Sequence, residues 1–240
     1  MRGTFTICRV ASVPVDLQVT WPPVFVFVSW TLAVRFFPAL YPLWSPIGYW
    51  TAGTISSLLL FGSLLVHELA HAFVARRRGL VVYRVSLFCL GGMAEIDVDE
   101  GKASDEFWMA LAGPAASVVL AAFCGIVWLE IARIESFLSA IALYLGISNA
   151  LLAGFNILPG YPLDGGRILR SVLWQVSGDQ AWATRWAGWL GQGIGGVGVV
   201  GGLVWLASGN VFAGFWLAAV GAFLVLAARG AIPSSLLSSS

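Results

Sequence analysis

Charge is what this sequence has least of. Only 10% of its 240 residues are Asp, Glu, Lys or Arg, while 59% are hydrophobic. Soluble domains carry about a quarter charged residues, and a larger soluble core does not close that gap, because it still needs a polar surface. Lipid is the remaining solvent, and a helix crosses it with roughly 20 apolar residues. The net charge of +1 gives no basic field for nucleic acid. Cys8, Cys89 and Cys124 stand alone, without a CxxC pair, so they read as small apolar residues and no disulfide is expected. The first twenty residues lack a continuous apolar core and a small-residue cleavage site, so a cleaved signal peptide is not expected. Histidine is scarcer still: the chain has two, both within "LLVHELAHAFVARRR".

What is present is a series of apolar runs, at about 20–40, 49–75, 106–132, 137–158, 183–206 and 211–228. They predict an all-α polytopic membrane protein with about six transmembrane helices, the last two divided by "ASGN" at 207–210. Residues 1–19 read as a polar, partly extended lead-in, and the serine-rich tail "IPSSLLSSS" as no domain. With Arg76, Arg77 and Arg78 cytoplasmic, alternation puts eleven of the thirteen Lys and Arg on that side, leaving Arg35 and Arg133 opposite. Both termini are therefore expected in the cytoplasm, the chain being multi-pass in a cell membrane.

Between the second and third spans, "YRVSLFCL" and "MAEIDVDE" alternate with period two around Gly91-Gly92, which predicts a small membrane-associated β-hairpin. "SDE" at 104–106 reads as the start of the third span, with Ser104 as N-cap and acids in the first turn. In the fifth span Gly191-x-x-x-Gly195 and Gly198-x-x-x-Gly202 predict close helix packing rather than a phosphate loop.

His67-Glu68-Leu69-Ala70-His71 fits H-E-x-x-H. On a helix, residues i and i+4 share a face, so both imidazoles can reach one metal, and Glu68 beside them can act as general base toward a water. Zinc suits neutral imidazole, and a catalytic site keeps three protein ligands. Ionisable groups at membrane depth cost at least about 2.5 kcal/mol each and are functional by default. His67 stands nine residues before Arg76, roughly 13 Å inward of the cytoplasmic edge that the arginines mark. No third histidine exists, so the third ligand must be a carboxylate or a cysteine. Asp164 in "FNILPGYPLDGGRILR" is best placed, at the cytoplasmic end of the fourth span. There Pro159 and Pro162 interrupt the helix, and Gly165-Gly166 permit a turn that aims the carboxylate inward. Glu95, Asp97 and Asp99 on the hairpin are the alternatives.

"HELAH" followed by "FNILPGYPLDGG" resembles the site-2 protease family of intramembrane zinc metalloproteases, whose motifs H-E-x-x-H and N-x-x-P-x-x-P-x-D-G are both complete. The resemblance covers about residues 10–175, including "GGMAEI" and "LAGPAAS", and points to the compact prokaryotic branch that includes the sporulation factor protease. It implies one zinc ion on His67, His71 and Asp164, with Glu68 as general base and Asn156 orienting substrate or stabilising the oxyanion. It further implies Pro162 shaping the substrate passage, and Gly91 and Gly92 on a hairpin that receives an extended substrate. The implied partner is a single-span membrane protein within the bilayer: an anti-sigma factor, a membrane-tethered transcription factor or a signal-peptide remnant. A homo-oligomer is left open. Residues 1–240 are expected to form one transmembrane metalloprotease domain, with a catalytic core over about 10–175, two further helices over about 183–229, and no PDZ or CBS domain. A metal-binding transporter or sensor without hydrolytic activity is the alternative, and Glu68 discriminates between the two.

Overall fold

The computed structural model describes residues 4–10, 13–88, 91–96, 102–132 and 136–231. The chain order is β1 (Thr4–Val10), β2 (Val13–Gln18), α1 (Trp21–Thr31), a π-helical turn (Leu32–Phe36), α2 (Phe37–Leu40), α3 (Pro46–Arg77), β3 (Val82–Phe88) and β4 (Gly91–Ile96). There follow α4 (Ala103–Ile131), α5 (Phe137–Asn156), α6 (Asp164–Ser177), α7 (Gln180–Ala207) and α8 (Val211–Ala231). Among the described residues six helices are long and apolar enough to cross a membrane, one of them Trp21–Leu40, which runs through the π-helical turn. Two compact units divide the chain: residues 1–100 with 112–153, and residues 101–111 with 154–240.

In the first unit α3 is the axis. Ser45 caps its start, accepting a hydrogen bond from the Gly48 amide at 3.2 Å, with Pro46 in the first turn. Its far end closes at Gly79, φ +82°, where the Leu80 amide donates to the Ala75 carbonyl and the Gly79 amide to that of Arg76, each at 3.0 Å. That is the Schellman pattern, and it requires a residue tolerant of left-handed backbone. With 32 residues, α3 is about 48 Å long, more than a hydrocarbon core of roughly 30 Å demands. Leu32, Phe37, Ala52 and Ala140 form one buried cluster at its N-terminal end, with Trp44, Tyr49 and Tyr144 packed around them.

At the other end, Val13 of β2 and Val85 of β3 pack on Ala72, with Leu65 and Leu69 beside them. The sheet behind this cluster is larger than the expected hairpin. Its order is β1-β2-β3-β4, antiparallel except for the parallel β2–β3 pair, where Val15 lies opposite Val85. The lead-in read as partly extended thus supplies two strands. Gly91 and Gly92 are not the turn: they open β4, opposite Phe88 and Leu87, while residues 89–90 lie outside the described segments.

In the second unit α4 begins at Ala103, so Ser104 is inside the first turn rather than its cap. Asp105 reaches back instead, accepting from the Lys102 amide at 3.2 Å. Glu106 is fully buried and is held by Arg170 of α6, whose Nε donates to its oxygens at 2.9 and 3.1 Å and whose Nη2 donates at 2.5 Å. Arg167 stands 3.9 Å away. The 14 residues of α6 span only about 21 Å, and no apolar run marked this helix in advance.

The glycines of α7 face two partners. A side chain at Gly195 would stand 2.7 Å from the Gly221 carbonyl of α8, and one at Gly202 would meet the Gly214 carbonyl at 2.6 Å. Gly191 instead packs on the backbone of Tyr161, whose amide donates to the Ala187 carbonyl at 3.0 Å. Replacing Gly195 by Val should therefore force α7 and α8 apart, costing about 1–3 kcal/mol. Gly193→Ala, with nothing within 4 Å, should be neutral. Thermal unfolding of the two variants in the same detergent checks the contrast.

Candidate metal centre

His67 and His71 face the same way from α3, both 3% exposed, with ring centroids 4.9 Å apart. Ser117 of α4 lies 2.9 Å from His67 Nδ1. When that nitrogen carries the proton, Ser117 Oγ accepts it and fixes the ring, and the Nε2 lone pair is left for a ligand role. Gly113, one turn earlier on α4, shows where both Nε2 atoms point. A Cβ there would fall 2.6 Å from Nε2 of His67 and closer still to Nε2 of His71. Two convergent imidazole nitrogens, one already oriented by a hydroxyl, and a space that any side chain on α4 would fill: this donor set fits zinc.

Glu68 is half-buried and lies across β4. A Cβ at Gly92 would stand 2.8 Å from its carboxyl carbon and from Oε1, and closer still to Cγ. Gly92 is thus what lets the glutamate side chain lie over the strand. Glu95, one of the alternative ligands, is engaged elsewhere: Arg84 Nε is 3.0 Å from its Oε2. Arg84 also stands 3.6 Å from Asp16, which accepts from Thr6 Oγ1 at 2.7 Å. Asp97 and Asp99 lie outside the described residues.

In the second unit Asp164 is buried and is the first residue of α6, where a carboxylate is favoured by the helix dipole. Gly165 and Gly166 do not make the turn expected of them. Both are helical, and a side chain on either would overlap backbone, of Ile157 and Leu158 for one and of Gly160 and Tyr161 for the other. Their smallness presses the first turn of α6 onto the preceding segment and so fixes where Asp164 starts. Asn156 ends α5, half-buried, and Pro162 follows Tyr161 through a cis peptide bond. Arg170 also lies over the Tyr161 ring, 5.7 Å from its centre. His67 and His71 in the first unit and Asp164 in the second are buried, and each is a residue type that offers a ligand atom to a metal ion.

The family model of Peptidase family M50 matches residues 55–133 and 125–187, more than half of the chain, including His67, Glu68, His71, Gly113, Ser117, Asn156 and Asp164. The chain belongs to peptidase family M50, the site-2 protease family. Among its relatives, Rip3 from Mycobacterium tuberculosis is 35% identical over 95% of this chain. A zinc metalloprotease from Methanocaldococcus jannaschii is 29% identical over 72%. The chain spans 58% of the length of the first and 46% of the second. A solved site-2 protease from Methanocaldococcus jannaschii has the same fold, with a TM-score of 0.62 at 24% identity over 96% of this chain and 95% of that one. With six apolar helices and this family membership, the protein is a multi-pass membrane protein.

Sequence reasoning on this M50 chain missed Gly113 and Ser117. Both sit in "LAGPAAS", where a Gly-Pro pair inside an apolar run was the available signal that α4 needs close approach at this point. Gly113→Ala should strip the metal while leaving the helices assembled, because its methyl would occupy the space in front of both Nε2 atoms. Ser117→Ala should weaken metal affinity by about 10–100-fold. Zinc content after dialysis against graded chelator checks both.

Proposed function

We propose that this protein is an intramembrane zinc endopeptidase that hydrolyses a peptide bond within or near a transmembrane segment of another membrane protein. The observation that carries this reading is the convergence of His67 and His71 Nε2 on the space left by Gly113. Asp164 is the proposed third ligand, so one ion per chain would be held by His67, His71 and Asp164. When bound, zinc supplies a Lewis acid that polarises a carbonyl and lowers the pKa of water to about 7.

The remaining work falls to the chain's own residues. Glu68 takes a proton from the attacking water as its oxygen bonds to the carbonyl carbon. It returns that proton to the nitrogen as the C–N bond breaks. Asn156 is assigned the developing oxyanion, toward which its amide would donate. β4 is the outer strand of the sheet among the described residues, which supports an extended substrate adding along Gly91 and Gly92. Gly92 then has two uses, since its lack of a side chain already admits Glu68. Pro162 is the residue we assign, by the family resemblance, to shaping the substrate passage.

The substrate class is a single-span membrane protein that must unwind locally, because peptide bonds in a membrane helix are tied up in intrahelical hydrogen bonds. An anti-sigma factor, a tethered transcription factor or a signal-peptide remnant fits that class. Residues 1–240 are read as one metalloprotease domain, in a prokaryotic plasma membrane with both termini cytoplasmic, as the distribution of arginines supports.

Glu68→Gln decides the mechanism. It should lower cleavage of a reconstituted transmembrane substrate by about 10²–10⁴-fold while zinc content stays at wild type. A zinc-loaded Glu68→Gln protein that cleaves normally would remove Glu68 as the base. A wild-type protein that binds zinc and cleaves no membrane substrate would favour the transporter or sensor.

A further inference from the structure

α3 carries more buried polar side chains than its metal ligands require. Ser56, Ser63, His67 and His71 are all buried. At about 100° per residue they fall within an arc of roughly 80° on one face of the helix. Ser63 stands one turn before His67, about 6 Å along the axis, and Ser56 about 10 Å further on.

Beside Ser63 is Asn149 of α5, with no exposed surface. Its Nδ2 donates to Ser63 Oγ at 3.1 Å and to the Leu145 carbonyl at 2.9 Å. Ser63 Oγ in turn donates to the Leu59 carbonyl at 3.1 Å. Both amide protons of Asn149 are thus in use. Its Oδ1 remains, and it has no hydrogen-bond partner among the described residues; nor has Ser56 Oγ.

A strong acceptor deep in an apolar helix bundle needs a donor. A peptide could reach a side chain this enclosed only by parting α3 from α5, whereas a single water fits a buried polar site with two or more partners. Ser63 Oγ, with one lone pair uncommitted, is the second partner.

We propose that Asn149 Oδ1 and Ser63 hold a buried water one helical turn beyond His67. This water is the near store from which the hydrolytic water is replaced. One turn of about 6 Å is bridged by two hydrogen bonds of roughly 2.8 Å, so one transfer carries a water from the store to the histidines. The inference rests on the proteolytic reading, since hydrolysis consumes one water for each bond cut. Asn149 is a positioning residue: it touches neither metal nor substrate.

The test compares wild type, Asn149→Leu and Asn149→Asp, each zinc-loaded. Leu145 is buried, so radiolytic labelling in ¹⁸O-water should mark it only if a water is held beside it. Label is expected at Leu145 in wild type and in Asn149→Asp, which keeps the acceptor oxygens, and is expected to be lost in Asn149→Leu. Against a transmembrane substrate, Asn149→Leu should lower kcat about tenfold with KM unchanged, and Asn149→Asp should restore it. An unlabelled Leu145 in wild type overturns the water site by itself, even if neither variant folds. Lost label with kcat unchanged, or a rise in KM alone, overturns its role as a store. If wild type holds the label but does not cleave, the proteolytic reading falls and the water site stands.

Discussion

Hydrocarbon offers no hydrogen bonds, so each polar group buried in this protein has to be answered by the protein itself. That constraint organises the molecule around α3. Two imidazoles are buried on one face of it, and the neighbouring helix α4 answers with a hydroxyl on one ring and an empty glycine position in front of both. In the other unit the same rule applies to Glu106, fully buried at the start of α4 and met by the forked guanidinium of Arg170. Leaving one partner of such a pair unmatched costs several kcal/mol, roughly 3–5. The pair therefore holds α6, and with it Asp164 at the first residue of that helix, to the beginning of α4.

Glycine is the second device. Gly92 makes room for the Glu68 side chain, and Gly113 for whatever the imidazoles bind. Gly165, Gly166 and Gly191 let three backbone segments touch around Tyr161. Each is a place where a methyl group would land on a reactive group or on a neighbouring backbone. The same residue type that lets α7 and α8 pack closely in a membrane is used here to shape a site.

The six spans and the His67–His71 pair were legible because their signals are local. Apolar length marks a crossing, and a spacing of four marks a shared helical face. The second motif, "LDGG", and its place at the end of a span are what make Asp164 the proposed third ligand. What escaped lies in contacts between distant segments. The parallel β2–β3 pair joins residues about seventy apart, Val15 with Val85, and nothing in "VPVDLQ" names its partner. Gly91-Gly92 looked like a turn because the pair punctuates an alternating run, yet both belong to a strand. Gly165-Gly166 read as a turn that aims Asp164, yet both are helical and their freedom is not used. In each case the missing side chain mattered more than the permissive backbone, and only the packing partner reveals that. α6 was hidden because its apolar residues form a face rather than a run.

The central claim is that His67 and His71 present Nε2 to one zinc ion completed by a carboxylate. X-ray absorption spectroscopy on the zinc-loaded protein measures that coordination directly. The expected result is a shell of two imidazole nitrogens with oxygen neighbours, at about 2.0–2.2 Å, and no sulfur. A shell containing sulfur at about 2.3 Å, or oxygens without imidazole, would contradict it.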